Sequence, residues 1–430
     1  PSSGVKYFIK PDSNHLPGPP VLFFLRKVNG MNATGKKWCR IALFNLMLVA
    51  IAGVLLRLKI LVALPWLHHK HLLHGHSHFA FAGWVSLCLM AALVGLLPDV
   101  LSRRYHKILL ASLLAAYGML LSFPFQGYGP VSIFFSTLSV VFSWWFALRL
   151  WKDLGNSGLN TLVQNSIRWS LAFLVVSAAG TFFLAWLMAT EVNNARLYFA
   201  AIYFYLHFQY NGWFFFAILA LFASRLPASL LVRLRQPVLW LAIAAIPAYF
   251  LSALWMRLPS WMYVVAVLAA VAQLVAFVLL LRKLLPQAVR LFETKSLQVV
   301  WLLSLLSLCI KFLLQSLSVF PALSKYAFAY RPVVIGYLHL VLLGFVSLFL
   351  FGWLVSQDLI PAARKRLPVS FWLFITGFVL TEGTLMAQGF TAMFFVAIPH
   401  TNEMLLVAAL FLLAGIAWMN RQVTDSPRPL

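Results

Sequence analysis

Apolar runs of about twenty residues, divided by short polar breaks, recur along almost the whole chain. A bilayer core of about 30 Å is crossed by roughly 20 apolar residues in an α-helix, whose backbone polar groups are all satisfied internally. The pattern predicts twelve spanning helices, near 39–57, 74–97, 108–124, 131–151, 168–189, 197–223, 237–256, 261–281, 297–317, 333–356, 369–391 and 401–419. The third is expected to end at Pro124, and Pro247 to bend the seventh. Connections are brief, with no room for a large domain outside the membrane. The expected fold class is therefore all-α, a polytopic membrane protein with a single domain over residues 31–425. Residues 1–30, with prolines at 17, 19 and 20, read as a non-globular N-terminal stretch, and Met31 before Lys36 and Lys37 reads as a natural start.

Composition narrows the class. The 430 residues are 63% hydrophobic and 10% charged, where a soluble domain is about 25% charged. That excludes an ordinary soluble globule, and the apolar content excludes disorder. Lys and Arg number 33 against nine acids, a net charge of +24, which by itself would point to a nucleic-acid partner. The distribution removes that reading. With the N-terminus inside, 25 of the basic residues fall on the cytoplasmic side and seven outside (Arg57, Lys59, Lys70, Arg196, Arg257, Lys325 and Arg331), with Lys311 left within a span. This is the positive-inside pattern, and it predicts cytoplasmic N- and C-termini. No cleavable signal peptide is visible ahead of the first span. Cys39, Cys88 and Cys309 lie far apart in apolar stretches, without disulfide or zinc spacing.

Three of the eleven histidines share one context. The second span reads His78-FAFA-Gly83-Trp84, the sixth His207-FQYN-Gly212-Trp213 and the tenth His339-LVLL-Gly344-Phe345. They are 129 and 132 residues apart (207 − 78 and 339 − 207), each interval being four spans. The twelve spans thus read as three pseudo-repeats of four, over about 39–151, 168–281 and 297–419. Each single motif is compatible with a lone hydrogen-bonded histidine beside a packing glycine. Together they point to ligands, because an ionisable residue within a membrane is a functional candidate by default. At 1.5 Å per residue the three histidines lie about 6, 9 and 15 Å into the outer half, where neutral imidazoles suit haem iron, copper or iron. The segment before the second span adds His68, His69, His71, His74 and His76. His71, His74 and His78 share one helical face while His76 points elsewhere; for His74, ligation and support of a ligand both stay open. His68, His69, His15 and His106 read as solvated, and His400, before Glu403, as a helix-end group or extra ligand.

Other polar groups within or near the spans are Lys311, Glu382, Glu191 and Glu403. A buried Lys311–Glu382 pair between the ninth and eleventh spans would offset their desolvation. Among 38 Phe, 16 Trp and 13 Tyr, those at span ends suit interfacial belts. Trp84 and Trp213 either line a haem pocket or serve packing. Gly83, Gly212 and Gly344 admit a macrocycle or a neighbouring helix.

Twelve spans, three repeats, a cytoplasmic N-terminus and histidines on spans two, six and ten resemble subunit I of the haem–copper oxidases and nitric oxide reductases. The stretch Tyr205-Leu-His207-Phe-Gln-Tyr-Asn-Gly212-Trp213 looks like the copper- or iron-ligand helix of that family. The twelve-span haem- and copper-containing proteins of the nitric oxide response are also similar in type. The resemblance implies one bis-His haem held by His78 and His339, with His74, Gly83, Gly344 and Trp84 around it, and copper or iron at His207. The chain departs from the family in having no histidine over 237–260 and a single histidine on the tenth span. A complete proton-pumping oxidase is therefore not expected. The implied function is a haem-binding membrane protein of respiratory electron transfer, or related to oxygen or nitric oxide, in a bacterial inner membrane. Its expected partners are the lipid bilayer, a small gas ligand, and an electron donor or other respiratory subunits. A transporter or channel without cofactor, and a degenerate structural or assembly subunit, are the alternatives.

Overall fold

The computed structural model describes residues 30–256, 258–291, 294–361 and 367–424, with the side chains of 287–291 and 424 left out. The N-terminal stretch, save Gly30, lies outside the described residues, as do His15, Arg257, Arg364, Lys365, Arg366 and Arg428. Described residues form twelve helices long and apolar enough to cross a membrane. They are α1 (Ala33–Leu61), α2 (His69–Val94), α3 (Asp99–Gln126), α4 (Pro130–Asn156), α5 (Thr161–Ala189), α6 (Ala195–Ala223), α7 (Ala228–Met256), α8 (Ser260–Pro286), α9 (Lys295–Leu317), α10 (Arg331–Ser356), α11 (Val369–Ala392) and α12 (Thr401–Val423). A short helix, Pro321–Ala329, connects α9 to α10. The protein is an all-α polytopic membrane protein. Large apolar side chains such as Leu121, Phe125, Leu148 and Leu268 stand exposed on the helices, a surface suited to lipid rather than water.

Helices consecutive in the chain pack side by side, and α1 closes against α12. Inside lie α2, α6 and α10, with 72, 89 and 56% of their apolar windows buried against at most 50% elsewhere. The least apolar span, α6, at mean hydropathy 1.2, is the most buried, because its polar side chains face other helices instead of lipid.

Two proline expectations change. The third span runs past Pro124 to Gln126; only the last turn follows the lost N–H bond, and the ring packs where a side chain on Gly75 would stand. Pro247 does more than bend its span. From Pro247 to Met256 the chain tightens into a 3₁₀ helix, and the Tyr249 N–H donates to Ile246 O (3.3 Å) rather than to Ala245. The carbonyl of Ala245 is thereby released from that helical bond.

The three motif helices share one irregularity, a π-helical turn beginning one or two residues after the histidine: Ala80–Ser86, Phe208–Phe214 and Leu340–Ser347. A π turn interrupts the regular i→i−4 ladder, and neighbouring side chains take up carbonyls there. Asn45 donates to Gly83 O (2.8 Å) and accepts from Tyr117 (2.9 Å), while Ser304 donates to Phe345 O (2.7 Å). In lipid an unpaired carbonyl is costly, so these partners are part of what permits the turns.

The turns bring α2, α6 and α10 together as a three-way hub. The Trp84 indole donates to Ser347 of α10 (3.0 Å), and the Trp213 indole donates to Ser86 of α2 (3.1 Å). Phe345 closes the cycle against Phe215 of α6, ring centroids 6.3 Å apart. In every case the sixth residue after the motif histidine meets the eighth residue after another motif histidine. This is a pseudo-threefold arrangement, with two hydrogen bonds and one aromatic pair in equivalent places.

Candidate functional site

The motif residues divide between packing and chemistry. Trp84 is 2% exposed and Trp213 fully buried, and both indole N–H groups are spent in the hub. Gly344 admits Phe378 of α11 and Ser307 of α9, each 2.6 Å from where a Cβ would stand. Gly212 admits Phe173 of α5 in the same way, and the space at Gly83 is filled by Phe79 of its own helix. Trp84, Gly83 and Gly344, expected around a cofactor, therefore serve close packing.

His207 is buried, with both ring nitrogens engaged. A carbonyl can only accept, so Nε2 carries the proton and donates to Ala245 O of α7 (2.8 Å). Nδ1 then accepts from the Asn211 amide (3.1 Å). Neither nitrogen keeps a free lone pair for the copper or iron expected there. From Asn211 a polar chain continues inward. Lys311 of α9 donates to Asn211 Oδ1 and to Gln315 Oε1 (2.6 Å), and Gln315 donates to Gln273 Oε1 of α8 (2.6 Å). The expected Lys311–Glu382 pair is not formed: Glu382 Oε1 is buried without a hydrogen-bond partner, and Lys311 is solvated by amides. Amide oxygens on α6 and one turn along α9 reach the ammonium, whereas Glu382 faces α10 at Gly336.

His78 and His74 lie against the end of α3. The His78 ring stacks on Phe123 (4.5 Å between centroids), and its Nε2 meets the Tyr128 hydroxyl at 3.1 Å. Burial pushes the Tyr128 phenol up to about 12, so it is a neutral hydrogen-bond partner of the imidazole. His74 packs on Tyr128 at 4.7 Å. Gly127, at φ 59°, turns the chain here; a side chain at that position would meet His71 at 2.7 Å. His68 caps α2 by accepting from the His71 N–H (3.4 Å). His400 is exposed and pairs with Glu403 (3.2 Å) at the start of α12, a helix-end role. His106 accepts from the Trp38 indole (3.3 Å).

His339 is oriented differently. Its Nδ1 donates to Ile335 O one turn back on α10 (2.9 Å). The titratable groups near enough to act on it electrostatically are His76 of α2 and Arg57 of α1. His76 is anchored in the same manner, Nδ1 donating to Val49 O of α1 (3.1 Å). Gly53 lies against that ring, a Cβ there standing 3.4 Å from its Cε1, an ordinary contact. For both rings the carbonyl puts the proton on Nδ1 and leaves Nε2 a lone pair, with no hydrogen-bond partner among the described residues. His78, expected to pair with His339, has its Nε2 at the Tyr128 hydroxyl instead, and the histidine that acts electrostatically on His339 is His76. Two residues apart on a helix means about 200° around it, so His76 and His78 cannot face the same neighbour. Arg57 and Arg331 act on one another, and both act on His69; no carboxylate pairs with either guanidinium among the described residues. Arg57 also acts on both His76 and His339, so two imidazoles with open Nε2 atoms share one cationic neighbour. Among the described residues no group of three or more His, Cys, Asp or Glu side chains is arranged to hold a metal ion, so any metal here would need donors from elsewhere, as a macrocycle supplies.

No protein-family model matches the chain, and no curated protein matches it.

Proposed function

We propose that the chain is a haem-binding electron-transfer protein of a bacterial inner membrane, with His76 and His339 as the axial pair. The observation that carries this reading is the matched state of the two rings: Nδ1 anchored on a backbone carbonyl, Nε2 open. Haem-ligating histidines need that state, because the anchor fixes tautomer and ring orientation and makes the free nitrogen a better donor. Likeness in layout to subunit I of the haem–copper oxidases, with histidines on spans two and ten, supports the same reading.

Val49 and Ile335 hold the rings, Gly53 lies against His76, and Arg57 and Arg331 are placed to pair with the propionate carboxylates by charge-assisted hydrogen bonds. A bound haem supplies a one-electron couple. Held by His76 and His339 together, a haem would serve electron transfer between respiratory partners in preference to capture of a gas. The closed state of His207 removes the second metal from the proposal, and with it a reductase of the two-metal type.

An absorption spectrum of the detergent-purified chain tests this. The expected result is a Soret band with a low-spin bis-imidazole signature, lost in His76→Ala and in His339→Ala and retained in His78→Ala and His207→Ala. A colourless wild-type protein, or a band that depends on His78 and not on His76, overturns it.

A further inference from the structure

A cavity of about 410 Å³ lies among α6, α7, α9, α10, α11 and the short helix Pro321–Ala329. Its volume is within the ~300–1,000 Å³ of small-molecule sites. Most of the wall is apolar; of its hydroxyls, Ser318 and Tyr326 already donate to the Gln315 and Gly389 carbonyls, and Ser252 stands beside them. Tyr203, Tyr210 and Tyr337 bring phenols, and Asn211 and Gln315 bring amides whose oxygens are already taken by Lys311. Each amide nitrogen has one N–H in use, Asn211 on His207 and Gln315 on Gln273, and one more to give. One hydrogen bond behind this floor sits Lys311, 3% exposed, an ammonium facing amide oxygens with no acid paired to it among the described residues. The wall therefore offers donors and positive charge, and asks for acceptor oxygens. Aromatic edges, with Tyr210 against Tyr337 at 5.8 Å and Tyr203 against Phe328 at 5.1 Å, suit a flat ring better than a bare acyl chain.

We propose that this cavity binds a membrane-soluble quinone, its ring carbonyls accepting from the Asn211–Gln315 floor and its apolar tail along the α10–α11 wall. The Lys311 charge favours the oxygens of the head group, and no acid competes for it. The site does not depend on haem at His76 and His339.

The test is equilibrium binding of decylubiquinone to the detergent-purified full chain, with dodecanoate as a competing carboxylate amphiphile. Saturable binding is expected, weakened at least about tenfold in Lys311→Met by loss of the group that orients the Asn211 and Gln315 amides toward the head group. Lys311→Met also opens the polar chain to His207, so Ala327→Trp, which fills the cavity from the short helix, is the second variant, and it is expected to abolish binding with the helical fold retained by circular dichroism. His339→Ala is expected to bind as wild type, which separates this proposal from the haem reading. Absence of saturable binding, binding unchanged in Ala327→Trp, or displacement of the quinone by dodecanoate at lower concentration than by decylubiquinone itself overturns it.

Discussion

His207 and His339 occupy equivalent places in equivalent helices, each one residue ahead of a π turn and five ahead of a packing glycine. Their surroundings have nevertheless driven them to opposite ends. Around His207, Pro247 breaks the α ladder of the neighbouring helix and frees the Ala245 carbonyl, the imidazole takes it, and Asn211 takes the other nitrogen. Around His339 the ring turns back on its own helix, on Ile335 O, and Nε2 has no hydrogen-bond partner among the described residues, with His76 acting on it electrostatically. The lesson is that the availability of an imidazole lone pair is decided by the backbone next door, not by the motif around the histidine.

The most severe way to break this comparison is to exchange the outcomes. His339→Ala is expected to remove all bound haem, read as complete loss of the Soret absorbance, while His207→Ala leaves the absorbance per protein unchanged. Equal loss in both variants would mean that the two rings serve one site and that the contrast in ring nitrogens is without consequence.

The second effect is on stability and runs the other way. His207→Ala strands the Ala245 carbonyl and an Asn211 N–H in a buried setting, at a cost of about 1–3 kcal/mol. His339→Ala leaves only Ile335 O, which the helix itself still uses, and is expected to cost about 1 kcal/mol or less in the haem-free protein. Thermal unfolding in detergent of the two haem-free variants reads the difference. A larger loss in His339→Ala would reverse the assignment of structural and ligand roles.

A smaller effect probes the hub. Two of its three contacts are indole–hydroxyl bonds and the third is Phe345 on Phe215. Trp213→Phe is expected to cost about 0.5–1.5 kcal/mol, one buried hydrogen bond. Phe345→Trp with Phe215→Ser would install the missing bond. The double variant is expected to be more stable than the sum of its singles by about 0.5–1.5 kcal/mol, measured as a double-mutant cycle. Strict additivity would mean that the three positions are not equivalent.

The spans and their number were legible from hydropathy, and the equivalence of α2, α6 and α10 from the spacing of three motifs; their inner placement came only with the packing. The motif itself was legible as a repeat but not as a hub: Trp84 and Trp213 look alike whether they line a cofactor or donate to Ser347 and Ser86, and only the cyclic partner pattern tells them apart. The different surroundings of His76 and His78 were hidden for a different reason. The repeat register selects His78, and the decisive fact, which carbonyl each Nδ1 meets, is long-range: Val49 is on another helix. Lys311 was visible as a buried cation, yet its partners were not, because amides on α6 and α9 solvate it in place of the one carboxylate that charge alone would choose.

The smallest effect belongs to Tyr128, whose contact with His78 marks the ring that the haem reading leaves out. Tyr128→Phe removes a single neutral hydrogen bond and is expected to cost about 1 kcal/mol with no change in the visible spectrum. The pH dependence of that contact has a definite sign. A tyrosine in the unfolded chain ionises near about 10, whereas burial holds the Tyr128 proton up to about 12. Between those values the folded state binds the proton that the unfolded state has released, so the contribution falls as pH rises through that window and is flat below it. Wild type and Tyr128→Phe should therefore differ by a constant amount from pH 6 to pH 9 and converge above about pH 10. A difference that changes within the neutral range would mean that the group titrating beside Tyr128 is His78, and that its Nε2 is not held by the phenol.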